Sequence, residues 1–430
     1  MGNSNISSKM KDRYACLCKE YDSNNVSNNN NVEKRVWYSR ASLLLEDLYE
    51  HEILCKNDND KENLKLMVSD IEGKLKSIKL GYVKVPKYMK LFLYIDEIVR
   101  LSAVWSCLIL TGIFIALPSI LIKPIDYYLV HYNIINNKYQ MNVLAKRGIA
   151  KFILLLSGIS LEIQGLENTK DMGGKKYLLL WSHASTMDAF ITSAAFSVRH
   201  YTLAKQQLFQ LPFFSWLSIS FDAIPIIREN KDSAINACSY AAKKVMDSEI
   251  GACYSMSPEG TRSDTGLLLP FKKGASHVWN ELDKCDILPV VTFGAYELYP
   301  PGTAMTISGK VYFRYLKPIT KEDIKDQSML QVVRKNMLQT TIDDCPNDIA
   351  APLTCMQQVK NKVALLIMLY IDYQVFVAYK YFWFDYMKID SYLIIAGITV
   401  VVPLVITLIL YLWVVNQAIQ GGKLAKMKNQ

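Results

Sequence analysis

The stretch Tyr177-Leu-Leu-Leu-Trp-Ser-His-Ala-Ser-Thr-Met-Asp-Ala-Phe-Ile-Thr-Ser-Ala-Ala195 decides how this chain folds. Its first five residues form a short, uncharged apolar run, which is typical of a buried strand. Its last seven residues have the small and apolar composition of a short helix. A strand that leads through a polar turn into a helix is the repeating unit of α/β folds. The sequence therefore predicts an α/β domain organised around this turn.

The turn carries His183 and, five residues later, Asp188. A carboxylate that folds back on an imidazole fixes its tautomer and raises its basicity. Such a histidine can take a proton from a hydroxyl, an effect worth about 10²–10⁴ in rate. Ser185 and Asp188 equally fit a capping box, in which both side chains bind amides at a helix start. The turn alone therefore leaves a catalytic and a structural interpretation open.

The region from Ser160 to Pro318 alternates short apolar runs with helix-like segments, as α/β domains do. The predicted strands are Ser160–Gln164, Tyr177–Trp181, His200–Ala204, Ala223–Ile227, Ala252–Ser255, Leu288–Thr292 and Lys310–Tyr315. The predicted helices are Ala189–Phe196, Phe213–Ser218, Asp232–Met246 and Lys273–Asp283. We therefore place an α/β domain over residues 159–320.

Composition favours attachment to a membrane. Of 430 residues, 51% are hydrophobic, and long uncharged runs rather than a general excess produce this value. The net charge of +9 suits an anionic surface or a phosphorylated substrate. Basic residues are scattered without interleaved aromatic residues, which argues against a nucleic-acid partner. Nine cysteines without a C-x-x-C pair indicate free thiols in a reducing compartment.

Three long apolar runs are candidate membrane segments. Leu101–Ile122 is uncharged over 22 residues and, with the amphipathic stretch Asn142–Ser157, predicts a two-helix element over 99–158 that spans or re-enters the bilayer. Val363–Phe384 and Tyr392–Val415 predict a C-terminal membrane hairpin over 361–416.

Lysines flanking the hairpin share one side if both segments cross, and the positive-inside rule makes that side cytosolic. We expect an integral protein of the endoplasmic reticulum with its α/β domain in the cytosol. The remaining segments are expected to be a disordered Asn-rich tail (1–35), a helical extension (36–80), a helical linker (321–360) and a basic tail (417–430).

Two further strand ends carry groups suited to an anion. Ile224-Pro-Ile-Ile-Arg228 places a cation after a strand, and Ser257-Pro-Glu-Gly-Thr-Arg-Ser263 crowds Glu, Thr and Arg around a glycine. Arginine grips phosphate through a bidentate fork. Lys205 follows another predicted strand and adds positive charge.

At this point the residues resemble a known family, the glycerolipid acyltransferases. The resemblance rests on four ordered blocks over about residues 140–320: His183-x4-Asp188, the strand-end Arg228, Pro258-Glu-Gly-Thr-Arg262 and Leu288-Pro-Val-Val291. It implies a mixed sheet flanked by helices, with membrane helices before and after it.

The resemblance also implies transfer of a fatty acyl group from acyl-CoA, as co-substrate, to the sn-2 hydroxyl of 1-acylglycerol 3-phosphate (lysophosphatidic acid) at a bilayer. His183 would be the general base and Asp188 would orient it. The implied substrate-binding residues are Glu259, Gly260, Thr261, Arg262, Arg228 and Lys205. A thioester is already activated, so neither a metal nor another cofactor is expected.

Other interpretations remain. The acceptor can instead be glycerol 3-phosphate or another lysophospholipid, since these blocks do not separate phosphate-bearing acceptors. A non-catalytic, lipid-binding membrane scaffold is a more remote alternative. A serine hydrolase using His183 would need a G-x-S-x-G elbow, which the sequence lacks.

Overall fold

The structure, a computed structural model, describes most of the chain up to Phe382. The described residues are 8–23, 30–54, 58–81, 90–112, 114, 124–125, 127–129, 131–132, 140–172, 174–211, 214–227, 230–248, 252–303, 307–324 and 327–382.

Helices and strands alternate through the middle of the chain. The strands are β1 (Ile159–Gln164), β2 (Tyr177–Trp181), β3 (His200–Lys205), β4 (Ala223–Ile226), β5 (Cys253–Met256), β6 (Asp286–Phe293) and β7 (Gly309–Tyr315). The helices before β1 are α1 (Ser8–Ser23), α2 (Asn31–Leu54), α3 (Asp58–Ser77), α4 (Lys90–Thr111) and α5 (Met141–Leu156). Those after β2 are α6 (Asp188–Ala195), α7 (Phe214–Ser220), α8 (Lys231–Met246), α9 (Gly274–Glu281), α10 (Ala295–Leu298), α11 (Lys321–Ile324), α12 (Met329–Asp344) and α13 (Cys355–Tyr381).

The seven strands form one mixed sheet in the order β1-β7-β6-β2-β5-β3-β4. All neighbouring strands are parallel except β6 and β7, which are antiparallel. The predicted mixed α/β architecture is therefore present. Because β1 and β7 run against β6, their first residues lie at the rim where β2 and β6 end.

Strand β2 shows why the sheet needs a layer on both faces. All five residues are buried, and successive side chains point to opposite faces. Leu179 and Trp181 join a core with α4, α5, α6 and α13, whereas Leu178 and Leu180 join a core with α8, α9 and α12. A strand buried on both faces reads as a continuous apolar run, which is the pattern the sequence has here.

A third core belongs to the N-terminal helices. We call α1–α3 with the following segment to Gly81 the N-terminal helical module. Its apolar core includes Trp37, Leu44 and Ile71, and it extends into the α/β domain through Leu267 and Tyr296. The module is thus packed on the domain rather than attached by a linker.

Two expectations about the segments before and after the α/β domain are corrected by the structure. The chain was expected to be disordered over 1–35, but α1 spans Ser8–Ser23 and buries Met10 and Leu17 against α2. The segment 321–360 was expected to be a helical linker; it is largely helical, but α12 packs against β6 and buries Val333 and Met337 in the core instead of linking two parts. In both cases apolar residues at helical spacing supply the burial that stabilises the helix.

The expected N-terminal membrane span is not found among the described residues. Helix α4 begins at Lys90 and therefore includes Asp96, Glu97 and Arg100, which reduces its apolar character. Residues 113 and 115–122 of the predicted run lie outside the described residues. Of the described helices, only α13 is long and apolar enough to cross a bilayer, by length and composition. The second arm of the C-terminal hairpin and the basic tail also lie outside the described residues.

Helix α4 is fixed to the rim of the sheet by a buried arginine. Arg100 Nη1 donates to the carbonyl of Ser157 at 3.0 Å and to Ser308 Oγ at 2.8 Å. These residues immediately precede β1 and β7. Asp96 pairs with Arg100 at 3.0 Å and with Lys362 of α13. Helices α4 and α13 are thereby joined at the rim where β2 ends.

Candidate active site

His183 and Asp188 are in direct contact. The distance from His183 Nδ1 to Asp188 Oδ2 is 2.7 Å. The backbone turns sharply between the end of β2 and the start of α6, so that a carboxylate five residues on returns to the imidazole. Asp188 is buried, while the imidazole keeps 16% of its surface exposed. A donor Nδ1–H leaves Nε2 in the form that accepts a proton.

Asp188 also holds the turn itself. Its Oδ2 accepts the backbone N–H groups of Ala184 and Ser185, both at 2.8 Å. Ser185 Oγ donates to the carbonyl of Tyr299 at 2.8 Å and accepts the backbone N–H of Met187 at 3.2 Å. Both side chains therefore bind amides at the start of α6, as the structural interpretation predicted, although Ser185 binds the amide of Met187 and not that of Asp188. Asp188 Oδ1 is buried and has no hydrogen-bond partner among the described residues.

The side chain of Glu259 binds the backbone of His183. Its Oε1 accepts the backbone N–H of His183 at 2.7 Å, and its Oε2 accepts that of Leu269 at 2.9 Å. The side chain is buried, and this burial raises the pKa of its carboxyl to about 8 despite the two N–H donors. Because both oxygens bind backbone amides, the geometry suits a clamp that positions His183.

Gly260 makes the turn after Glu259 possible. Its φ is +66°, a left-handed conformation that residues with a Cβ rarely adopt. A Cβ at this position would lie 3.0 Å from Lys272 Cδ and 3.4 Å from Lys272 Nζ. The side chain of Lys272 therefore lies over this turn, whose next two residues are Thr261 and Arg262.

Arg262 lies on the same surface as His183. Its Nη1 donates to Thr186 Oγ1 at 2.7 Å, within the loop that joins His183 to Asp188. The next residue, Ser263, donates its backbone N–H to the carbonyl of His183 at 2.7 Å. Arg262 and Thr186 are both exposed. The imidazole and the guanidinium therefore converge from two loops onto one open surface.

The remaining predicted site residues follow from the sheet order. β2, β5, β3 and β4 are adjacent and parallel, so the residues after them lie along one rim. Lys205 ends β3 and is exposed, and its Cα is registered with Ile226 at the end of β4. Arg228 lies outside the described residues. Thr261 is exposed in the turn after β5. In the described part of the chain no three His, Cys, Asp or Glu side chains converge as metal ligands would.

No sequence motif indicated the residues that close the back of the site. A cavity of about 30 Å³ adjoins His183 and Glu259, and Arg35, Tyr38 and Ser39 of α2 form part of its wall. These residues are more than 140 positions away from His183 along the chain. No local motif marks such a long-range contact. The sequence predicted helices in this region but not the surface against which they pack.

The sequence model of the acyltransferase family matches residues 160–292. This segment contains the His183–Asp188 turn and the loop from Glu259 to Arg262. We call residues 160–292, the segment that this model matches, the acyltransferase domain.

Curated proteins similar to this chain carry one recurrent name. A 1-acyl-sn-glycerol-3-phosphate acyltransferase of Limnanthes alba is 31% identical over 175 residues, which are 41% of this chain and 60% of that protein. One of Saccharomyces cerevisiae is 31% identical over 191 residues, 43% of this chain and 61% of that protein. A 1-acyl-sn-glycerol-3-phosphate acyltransferase alpha of Bos taurus is 27% identical over 192 residues, which are 43% of this chain and 64% of that protein. The chain thus spans about 60% of the length of the curated relatives it matches.

Among solved structures, the crystal structure of the 1-acyl-sn-glycerophosphate acyltransferase PlsC from Thermotoga maritima aligns with a TM-score of 0.46 and 20% identity. The alignment covers 58% of this chain and 95% of that one. The acyltransferase domain is the part of the chain that the family match covers. The N-terminal helical module, α12 and α13 lie outside it.

Proposed function

We propose that this protein is a membrane-bound acyltransferase that moves a fatty acyl group from acyl-CoA to the sn-2 hydroxyl of 1-acylglycerol 3-phosphate, giving phosphatidic acid. The observation that carries the proposal is the convergence of His183, held by Asp188, and Arg262, held by Thr186, on one exposed rim of an acyltransferase domain. A base and an anion-binding group at one surface are what this reaction requires.

In the proposed reaction His183 Nε2 accepts the proton of the sn-2 hydroxyl as its oxygen attacks the thioester carbonyl. The carbon–sulfur bond then breaks, and the imidazolium returns the proton to the departing thiolate, so that free coenzyme A leaves. Asp188 stabilises the imidazolium and keeps the ring in place. No acyl-enzyme forms, since the hydroxyl attacks the donor directly.

The acceptor's phosphate is assigned to Arg262. A guanidinium offers two parallel N–H donors to phosphate oxygens, and these charge-assisted bonds are stronger than neutral ones. Lys272, over Gly260, and Lys205, at the end of β3, add positive charge along the same rim. Thr261 and the backbone of Gly260 supply further donors close to Arg262, and Arg228 is expected to help.

A bilayer location is supported by the surface of α13. Leu366, Leu369, Tyr370 and Tyr373 each expose about half of their surface or more, and Phe376 nearly half. Such a contiguous apolar patch is unusual on a soluble monomer. We place this helix in the membrane and the acyltransferase domain on the cytosolic side of the endoplasmic reticulum.

The proposal is tested with the full chain purified in detergent, oleoyl-CoA as donor and a panel of acceptors. We expect 1-acylglycerol 3-phosphate to be consumed fastest. His183→Ala should lower kcat about 10²–10⁴-fold, the range for a lost general base. His277→Ala, at an exposed position of α9, is the matched control and should retain wild-type turnover.

Each alternative predicts a different result. Faster use of glycerol 3-phosphate would keep the reaction and change the acceptor, whereas activity on lysophosphatidylcholine alone would overturn the phosphate assignment to Arg262. A scaffold predicts lipid binding without turnover on any acceptor. Unchanged turnover of His183→Ala would reject the proposed base.

A further inference from the structure

The loop Ser263–Leu269, which we call the clamp loop, touches the site at both ends. At its start, Ser263 N–H binds the carbonyl of His183 at 2.7 Å. At its end, Leu269 N–H binds Glu259 Oε2 at 2.9 Å, and Glu259 Oε1 in turn accepts the N–H of His183. The conformation of this loop therefore sets the position of the histidine backbone.

The middle of the clamp loop is held by the N-terminal helical module and not by the acyltransferase domain alone. The carbonyl of Thr265 accepts the backbone N–H of Leu80 at 2.9 Å. Leu267 is 3% exposed and belongs to the apolar core of the module. A loop that donates a side chain to another element's core cannot shift without opening that core.

Two polar side chains of α2 complete the attachment. Arg35 Nη1 donates to the carbonyl of Gly266 at 3.2 Å, while its Nη2 pairs with buried Glu297 at 2.9 Å. Tyr38 Oη donates to the carbonyl of Leu268 at 3.0 Å. Four consecutive residues of the loop, 265–268, thus each meet the module.

The bond made by Tyr38 bears directly on Glu259. The carbonyl of Leu268 and the N–H of Leu269 belong to the same peptide group, which is planar and trans. Tyr38 donates to the carbonyl of this peptide group, and Glu259 accepts a hydrogen bond from its N–H. If the plane rotates, Glu259 loses its second partner and its grip on the amide of His183 loosens.

We infer that the N-terminal helical module is a working part of the acyl-transfer site, and that Tyr38 and Arg35 are positioning residues for His183. They act through the clamp loop and Glu259 and touch no substrate. The inference rests on the proposed function for its kinetic consequence, whereas the mechanical coupling from α2 to His183 stands on the contacts alone.

The test compares Tyr38→Phe with Tyr14→Phe in the full chain. Both changes delete one hydroxyl from the module, but Tyr14 donates to Asp70 within the module at 2.8 Å and does not reach the loop. We expect Tyr38→Phe to lower kcat about three- to tenfold, as one lost hydrogen bond does, with KM for the acceptor changed less than twofold. Tyr14→Phe should leave kcat unchanged.

Hydrogen–deuterium exchange supplies a readout that needs no turnover. Tyr38→Phe should speed exchange of the amides of Leu269 and His183, and Tyr14→Phe should not. If the wild type transfers no acyl group, the proposed function fails while this measurement still decides the coupling. Equal kinetics and equal exchange in the two variants would overturn the inference.

If the Tyr38→Phe variant does not fold, Arg35→Lys replaces it as the test variant. A lysine keeps a cation beside Glu297 but lacks the fork that also reaches Gly266. We expect the same pattern, a lower kcat and faster exchange of the Leu269 amide. Wild-type exchange at this amide would contradict the role of the module.

Discussion

Glu259 joins two properties that are rarely found together in one carboxyl group. It accepts two backbone N–H bonds, yet burial raises its pKa to about 8, so it is mostly protonated at neutral pH. A neutral, immobile carboxyl suits a structural clamp, since it adds no negative charge behind the imidazole. Among the described residues, Asp188 is then the carboxylate that contacts the imidazole of His183.

This raised pKa predicts a pH-dependent stability. The folded state binds the Glu259 proton more tightly than the unfolded chain, so its contribution is complete below pH 4.5 and declines by at most about 1.4 kcal/mol per pH unit up to pH 8. Glu259→Gln cannot titrate and should lower Tm by an offset that shrinks as pH rises from 5 to 8.5.

Thermal unfolding at several pH values measures this difference. The matched control is Glu281→Gln, which removes an exposed carboxylate of α9. Parallel Tm profiles for wild type and Glu259→Gln across this range would contradict the assignment of a raised pKa.

Residue-scale chemistry was predictable only where it was local. His183 and Asp188 are five positions apart, and a turn between a strand and a helix brings them together. Glu259 was visible as part of a motif, but its partners, the amides of His183 and Leu269, depend on how two loops pack. A linear pattern carries no information about which way a side chain turns in such a loop.

At the scale of elements, the junction of α5 with α13 contains a buried amide beside its apolar core. Asn361 is 3% exposed, and its Nδ2 donates to the carbonyl of Leu155 at 2.6 Å in the last turn of α5. The carbonyl of Leu155 also accepts the backbone N–H of Gly158 at 3.0 Å. Asn361 therefore adds a second donor to this carbonyl and joins the two helices.

Asn361→Ala should destabilise the protein by about 0.5–1.5 kcal/mol, because one buried hydrogen bond between α13 and α5 is lost while the carbonyl of Leu155 keeps the N–H of Gly158 at 3.0 Å. For a chain of this size that corresponds to a fall in Tm of about one to two degrees. Asn336→Ala on α12, where the amide is exposed, is the control and should change Tm little. An equal effect of both substitutions would contradict this role.

All seven predicted strands are present, with ends that differ by one or two residues in the usual way. They were predictable because apolar runs between polar turns are a local signal. Helix α1 was missed because the Asn-rich stretch beside it dominated the composition. The helical spacing of Met10, Tyr14 and Leu17, which pack against α2, was the signal that could have found it.

For the whole molecule, the exposed apolar surface of α13 predicts a membrane contact. With Cys16 and Cys355 replaced by Ser, Leu369→Cys should resist a membrane-impermeant maleimide in sealed vesicles and react after detergent is added. Ile235→Cys, on exposed α8, should react in both conditions. Equal labelling of the two in intact vesicles would contradict the placement of α13 in a bilayer.

The docking of the N-terminal helical module onto the acyltransferase domain was not predictable from the sequence. The ion pair between Arg35 and Glu297 joins positions 262 apart, and neither residue stands in a motif. Periodicity shows that a helix has an apolar face but not which surface covers it.

The reversal of β7 against β6 has a consequence for how substrate arrives. It brings the starts of β1 and β7, and with them Arg100 of α4, to the border of the sheet that also carries His183. The helices α4 and α13 and the reacting imidazole therefore occupy the same end of the molecule. If the proposed function is correct, a single-tailed lipid would keep its hydrocarbon in the leaflet and extend only its glycerol and headgroup to be esterified.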